Sequence, residues 1–319
     1  MHGINYLRCH VTVCLRANVR TRIAIAFTIG IAAGILCWLF LSRFDQGAGD
    51  FGWAIRAARS LYHRQNPYNT PLEQYPMTAA VFALPFVRLP AVFAGAAFYG
   101  ISSALLALGL MRGGYHRLVV FLAYPYWAGM IAVQWSPLVM AAALLPLLLP
   151  VTMAKPQIGI PIALNYTTKR GAIACLAVLL FTLLLLPRWP WWWIGQFRSY
   201  QHFIPMLVFP GLFLALVLVR WRDESARLLF FTSLMPQRWF FDSFILWLIP
   251  KSRRELLWTI LLSWVPGIWR WFHFPHSFHE VGRWAVVFFY LPMLVVIFLR
   301  QRIQTKTLRV TIESSDRAS

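Results

Sequence analysis

The chain has 319 residues, 59% of them hydrophobic and only 13% charged, with 16 Trp, 25 Phe and a mean hydropathy of +0.60; soluble domains are about half apolar and about a quarter charged. That balance excludes a soluble globular protein, a disordered chain and, with 4 Cys, a disulfide scaffold. The formal charge of +20 comes from 30 basic and 10 acidic residues; most of the basic residues lie between long apolar runs, where they orient helices in a bilayer and imply no nucleic acid.

Residues 1–22 form a cytoplasmic N-terminal tail by the positive-inside rule, since Arg8, Arg16, Arg20 and Arg22 precede any acidic residue. Ile23 to Ser42 carries no charge and predicts the first transmembrane helix, as about 20 apolar residues cross the hydrocarbon core. A cleaved signal peptide is the rival; no A-x-A-like site follows, and equally apolar runs come later. Cys9 and Cys14 fall in the tail and Cys37 and Cys175 in apolar runs, so no external disulfide pair is available.

Further apolar runs cover 91–111, 118–133, 136–151, 171–187, 203–219, 226–249 (a possible hairpin), 255–271 and 284–299. They predict an all-α, polytopic protein of about eight to ten crossings. Arg112/Arg117, Lys169/Arg170, Arg220/Arg222, Lys251/Arg253/Arg254 and Arg300/Arg302/Lys306 fit cytoplasmic turns, leaving both termini inside. Pro150, Pro156 and Pro161 interrupt 152–170, where Lys155 stands among apolar residues; this reads as a broken or re-entrant helix of unassigned side. Without repeats or linkers, 23–300 is one multi-pass membrane domain, and 301–319 is a short polar cytoplasmic tail.

Residues 43–90 are the longest stretch free to lie outside lipid, and they hold Asp45, Asp50 and Glu73. Phe51, Ile55, Ala58 and Tyr62 recur at helical spacing, with Arg56, Arg59 and His63 opposite, which predicts an amphipathic interfacial helix in the first external loop. Asp50 at its start can cap that helix, act chemically, or both. Gly47-Ala-Gly49-Asp-Phe-Gly52 formally matches a dinucleotide fingerprint with Glu73 at a fitting distance. The motif needs a preceding strand, however, and here a transmembrane helix precedes it.

Asp50-Phe51, Ala57-Ala58-Arg59, Tyr62, Asn66-Pro67-Tyr68, Tyr75-Pro76, Leu84-Pro85-Phe86 and Leu89-Pro90 follow one another as in the first external loop of a known family. The order and spacing resemble glycosyltransferase family 87, the polyprenol-phosphate-mannose-dependent mannosyltransferases of the GT-C superfamily. Gln134-Trp135-Ser136-Pro137 is similar to the family's Gly-Gln segment and Lys155-Pro156-Gln157 to its Lys-Pro segment, so the likeness covers roughly 45–175. Ala132-Val133 stands where the family has Gly, the span from Gln134 to Lys155 is short, and Met77 replaces a second proline after Tyr75-Pro76.

The resemblance implies a GT-C-like enzyme of the cell membrane, read as a bacterial cytoplasmic membrane with the active site facing outside. It would transfer a hexose, mannose by analogy, from a polyprenyl-phosphate donor to an external glycan or lipid acceptor, with inversion and no cofactor besides that donor. Asp50 matches the catalytic base, with Asp45 in reserve; a carboxylate suits removal of a hydroxyl proton. The leaving lipid phosphate calls for cations, and Arg56, Arg59 and Lys155 are the candidates, with Gln134 as a further phosphate or lipid contact. Lys155 could equally snorkel to headgroups. Tyr75, Gln157, Arg270 and His273 are candidate substrate contacts. No Asp-x-Asp occurs, which argues against a nucleotide-diphosphate donor and an obligatory metal.

His273, His276 and His279 with Glu280 invite a metal reading, yet Pro275 interrupts their helix and a solvated loop fits better. Trp189 and Trp191 to Trp193 read as an interfacial aromatic belt that could also stack on sugars. Two rivals remain: a secondary transporter or lipid-linked-sugar flippase, which would show inverted repeats and dispersed charges, and a non-catalytic membrane scaffold in which Asp50 only caps.

Overall fold

A computed structural model describes residues 3–69, 75–196 and 201–300 and, within these, side chains from Asn18 onward. Glu73, the tail 301–319 and the side chains of Cys9 and Cys14 lie outside the described residues. Among those described every regular element is helical, and the one β contact is an isolated antiparallel bridge between Phe203 and Gln237.

The α-helices are α1 (Gly3–Phe44), α2 (Phe51–Tyr62), α3 (Met77–Ala83), α4 (Ala91–Leu110), α5 (Tyr124–Ile131), α6 (Ser136–Leu144), α7 (Pro156–Tyr166), α8 (Lys169–Leu185), α9 (Trp189–Gly195), α10 (Glu224–Leu234), α11 (Arg253–Phe272) and α12 (Phe278–Ala285). Among the described residues, three helical stretches are long and apolar enough to cross a membrane: Asn18–Phe44, Ala91–Gly113 and Phe278–Arg300. A fourth would be the pair α8 and α9, bent by 90°.

Predicted run 255–271 lies within the continuous helix α11, whereas the remaining predicted runs do not form continuous α-helices. Run 118–133 divides into 3-10 helix Tyr115–Leu122 and α5; 136–151 into α6 and 3-10 helix Pro146–Ala154; 226–249 into α10 and 3-10 helix Phe240–Leu248. Run 203–219 becomes helical in earnest only at Gly211–Arg220, beyond Pro205 and Pro210. Proline accounts for most of these breaks, since it removes a backbone donor and clashes with the preceding turn.

α1 and α4 pack antiparallel through small residues. A Cβ on Gly100 would lie 2.7 Å from the Gly30 carbonyl oxygen, and one on Gly34 3.3 Å from that of Ala96. Such close backbone approach is how membrane helices gain dispersion contact where lipid already solvates apolar surface. The outer side of α1 exposes Ile23, Phe27, Ile31, Ile35 and Leu39, a stripe at four-residue spacing suited to acyl chains. One large cluster of buried apolar side chains draws on residues from Ala33 to Ile297, and a small second one joins Ala26, Ala107 and Met111.

The basic turns meet at one end of the molecule. Tyr115 donates to Asn18 Oδ1 (2.9 Å), Arg112 to the Leu144 carbonyl (2.8 Å) and Arg117 to that of Trp247 (3.2 Å). His116 reaches the Lys251 carbonyl (3.1 Å), and Arg300 pairs with Glu255 (2.8 Å). The segments between those turns meet at the other end. There α2 lies on α4, with Phe51 stacked on Phe98 at 3.9 Å between centroids. Its buried face is Phe51, Ala54, Ile55, Ala57 and Ala58. Tyr62, predicted on that face, is exposed instead: the helix ends there, and the Tyr62 hydroxyl accepts from Arg88 (2.9 Å).

Residues 146–166 form a hairpin. Pro146–Ala154 leaves the basic end, the chain reverses at Lys155-Pro156, and α7 returns to where Arg227 donates to Asn165 Oδ1 (3.3 Å). Lys155 is therefore the tip of this hairpin, at the end of the molecule that holds α2.

Candidate active site

The site is built on a break in the helix pair α5 and α6. α5 stops at Ile131, and Val133 takes a left-handed conformation (φ +51°) before the Gln134 amide closes back onto the Gly129 carbonyl (2.8 Å). Positive φ is costly for a β-branched residue. This is the place where the resembled family has glycine, the residue that adopts such a φ without strain.

The turn after α1 docks on that break. Asp50 N donates to the Ala132 carbonyl (2.9 Å), and Gly49 sits at φ +54° so close that a Cβ would lie 2.8 Å from the same oxygen. Of the glycines of the formal dinucleotide fingerprint, Gly47 and Gly49 thus serve a tight turn and Gly52 lies within α2. Asp50 does not cap α2 through its side chain. The carboxylate turns away from the helix N-terminus, and its Oδ2 accepts a hydrogen bond from Gln134 Nε2.

The orientation of Gln134 follows from its other partner. Lys155 Nζ donates to Gln134 Oε1 (2.5 Å) and to Asp242 Oδ1 (2.7 Å), and it lies 4.9 Å from the Phe241 ring centroid. An ammonium has no acceptor capacity, so the amide must turn its oxygen to Lys155, and its NH2 faces Asp50. Lys155, Gln134 and Asp242 are 3%, 0% and 1% exposed. The snorkelling alternative for Lys155 is thereby overturned, because its charge is matched inside the protein by Asp242.

Asp242 opens the 3-10 helix Phe240–Leu248, and its Oδ2 accepts from the Arg238 backbone N–H (3.0 Å). The turn before it is held by Gln237, whose backbone pairs twice with Phe203 (2.8 Å each) and whose side chain bonds Tyr290, the Thr232 carbonyl and Ser243. The order of partners is Asp50, Gln134, Lys155, Asp242, drawn from four separate segments.

These groups edge a cavity of about 530 Å³. Of the predicted site residues Asp50, Tyr75, Lys155 and Gln157 line it, and Gln134 lies behind Asp50 and Lys155. Trp193, read from sequence as part of an aromatic belt that could also stack on sugars, is in the same wall, and sequence reasoning missed Trp53, His202, Arg238, Trp239 and Asp242 there. Asp242 left a signal, a lone carboxylate in the apolar run 226–249, which in a membrane protein asks for a partner.

Other candidates lie elsewhere. Asp45 is exposed in the turn after α1, away from the cavity wall. Arg59 donates to the Val87 and Leu89 carbonyls (3.2 and 3.4 Å), tying α2 to the following turn. Arg56 lies over the Trp53 ring, 4.7 Å from its centroid. Arg270 sits over Phe274 (4.7 Å) and Trp239 (5.9 Å) and donates to the His273 carbonyl, while the His273 ring stacks on Trp269. Of the tryptophan belt, Trp191 is 75% exposed, Trp189 is buried and Trp193 faces the cavity. Belt and site therefore share α9.

Compared with protein-family models, curated proteins and solved structures, the chain matches none.

Proposed function

We propose that the protein is a membrane glycosyltransferase that moves a hexose, mannose by the sequence resemblance, from a polyprenyl-phosphate carrier to a glycan or glycolipid acceptor. The observation that carries this reading is the Asp50 carboxylate: it lines the cavity, one oxygen is held by Gln134, and among the described residues Oδ1 accepts no hydrogen bond. A carboxylate fixed by one oxygen and open at the other is disposed to take a proton from a bound hydroxyl.

In the reaction, Asp50 Oδ1 takes the acceptor hydroxyl proton as that oxygen bonds to the anomeric carbon. The bond from the anomeric carbon to the phosphate oxygen breaks, and the polyprenyl phosphate leaves with the electron pair. Attack opposite the leaving group inverts the anomeric centre. Arg238 and Lys155 in the cavity wall supply positive charge toward that phosphate, the role assigned from sequence to Arg56, Arg59 and Lys155, and His202 in the same wall offers a hydrogen-bonding imidazole. Trp53, Trp193 and Trp239 offer ring faces to a sugar. No metal or cofactor enters these steps.

The same reading takes the chain as a GT-C-like protein of eight to ten crossings in a bacterial cytoplasmic membrane, with the basic end and both termini inside and the Asp50 end outside. The gathering of the basic turns at one end supports it.

A second reading, a transporter or flippase of a lipid-linked sugar, draws on the buried Lys155–Asp242 pair, since intramembrane ion pairs also mark substrate paths. The test is hexose transfer from synthetic polyprenyl phosphate mannose to a panel of glycan and glycolipid acceptors by the purified protein. Time-dependent glycoside product supports the enzyme. Movement of intact donor across proteoliposomes without product, or neither result, overturns it.

A further inference from the structure

A second cavity, of about 650 Å³, lies beside the first, and the two share His202 and Trp239 in their walls. Its floor is the turn between α11 and α12, where the sequence places the unexplained histidines. His276 and His279 line it with Ser277, while Phe274 and Phe278 supply rings. His273 does not; it has turned back onto Trp269.

The chemistry of this wall differs from that of lipid-facing surface. The groove between α1 and α4 is lined by apolar side chains and glycines alone, whereas here imidazole, amide and hydroxyl groups alternate with aromatic faces. Sugars ask for that combination: their axial C–H faces pack on rings, and their hydroxyls need partners that both donate and accept, which imidazole, amide and hydroxyl groups provide. The fixed charges beside the cavity are engaged. Arg270 lies over Phe274 and Trp239, and Glu280 accepts from the His276 backbone N–H (2.9 Å). A neutral ligand suits the wall better than an ionic one.

We propose that this second cavity is a binding site for neutral sugar residues of the acceptor glycan, which reaches past His202 and Trp239 so that its terminal hydroxyl meets Asp50. The acceptor role rests on the glycosyltransferase reading; the sugar site itself does not. Phe274 and His279 are chosen for the test because both are exposed and line the second cavity alone, so their loss leaves packing and the Asp50 cavity in place.

The full chain in nanodiscs is examined by saturation-transfer NMR with mannotriose. The wild type should bind, and Phe274→Ala and His279→Ala should each weaken binding by about tenfold, the scale of one ring contact or buried hydrogen bond. In transfer assays the same variants should raise acceptor KM and leave donor KM unmoved. No binding by the wild type, or binding unchanged in both variants, overturns the site. Binding that the variants weaken, in a protein that transfers no hexose, keeps the sugar site and removes the glycosyltransferase reading. Transfer whose acceptor KM ignores both variants removes the acceptor role and leaves the enzyme standing.

Discussion

Lys155 and Asp242 stand 87 residues apart in the chain, and their side chains meet at 2.7 Å inside the protein, 4% and 1% exposed. Each sits in an apolar stretch where an isolated charge would be costly. Together, with Gln134 and the Arg238 backbone as further partners, they hold the two sides of the cavity in register.

That pairing makes single and double substitution differ. Lys155→Met or Asp242→Leu leaves the other charge buried and unmatched, and each should cost about 3–5 kcal/mol. The double variant should recover much of that stability, yet transfer should stay lost because Gln134 is no longer oriented. Thermal unfolding in detergent beside a transfer assay checks both, and a double variant as unstable as either single one would count against the pairing.

Asp50→Asn should leave the fold intact and lower transfer by about a thousandfold or more, at the upper end of what a general base contributes. Asp45→Asn should stay within about twofold, in keeping with an exposed residue away from the cavity. Equal loss in both would remove the assignment of Asp50 as base.

Gln134→Leu tests positioning apart from chemistry. It removes the donor to Asp50 and the acceptor for Lys155 while keeping volume similar, so kcat should fall about a hundredfold with donor KM little changed. A rise in donor KM at constant kcat would instead make Gln134 a binding residue.

Gly49→Ala and Gly47→Ala separate close approach from backbone strain. Both glycines have positive φ, and a Cβ at Gly47 meets nothing within 4 Å while one at Gly49 lies 2.8 Å from the Ala132 carbonyl oxygen. Gly47→Ala should cost about 1 kcal/mol. Gly49→Ala should cost about 2–3 kcal/mol and reduce transfer, because the turn carrying Asp50 must shift. Unfolding and transfer measurements on the two variants make the comparison.

The sidedness of the two ends is open to cysteine labelling in a background lacking native cysteines. Arg64→Cys, after α2, should react with an impermeant maleimide in intact cells; Arg254→Cys, at the start of α11, should react only after permeabilisation. The reverse pattern would invert the topology.

Several features were legible from sequence because they depend on local pattern. Apolar composition predicted helices able to cross a membrane, the spacing of Phe51, Ile55 and Ala58 gave α2 and its buried face, and Pro156 with Lys155 marked an interrupted helix. Asp50 and Lys155 were singled out from their neighbours along the chain, and Tyr75 and Gln157 from their places in a run of family-like residues.

What only the tertiary structure decided is which charges meet. Asp242 lay unremarked in an apolar run, since nothing local tells whether such a carboxylate faces lipid, a partner or a cavity. Arg59 was a good cation by sequence, but the fold turns it to the Val87 and Leu89 carbonyls. The break at Val133 brings Gln134 between Asp50 and Lys155, and the amide faces as it does because a lysine can only donate. Hydrophobic pattern is a property of neighbours in sequence, whereas pairing of buried charges is a property of neighbours in space.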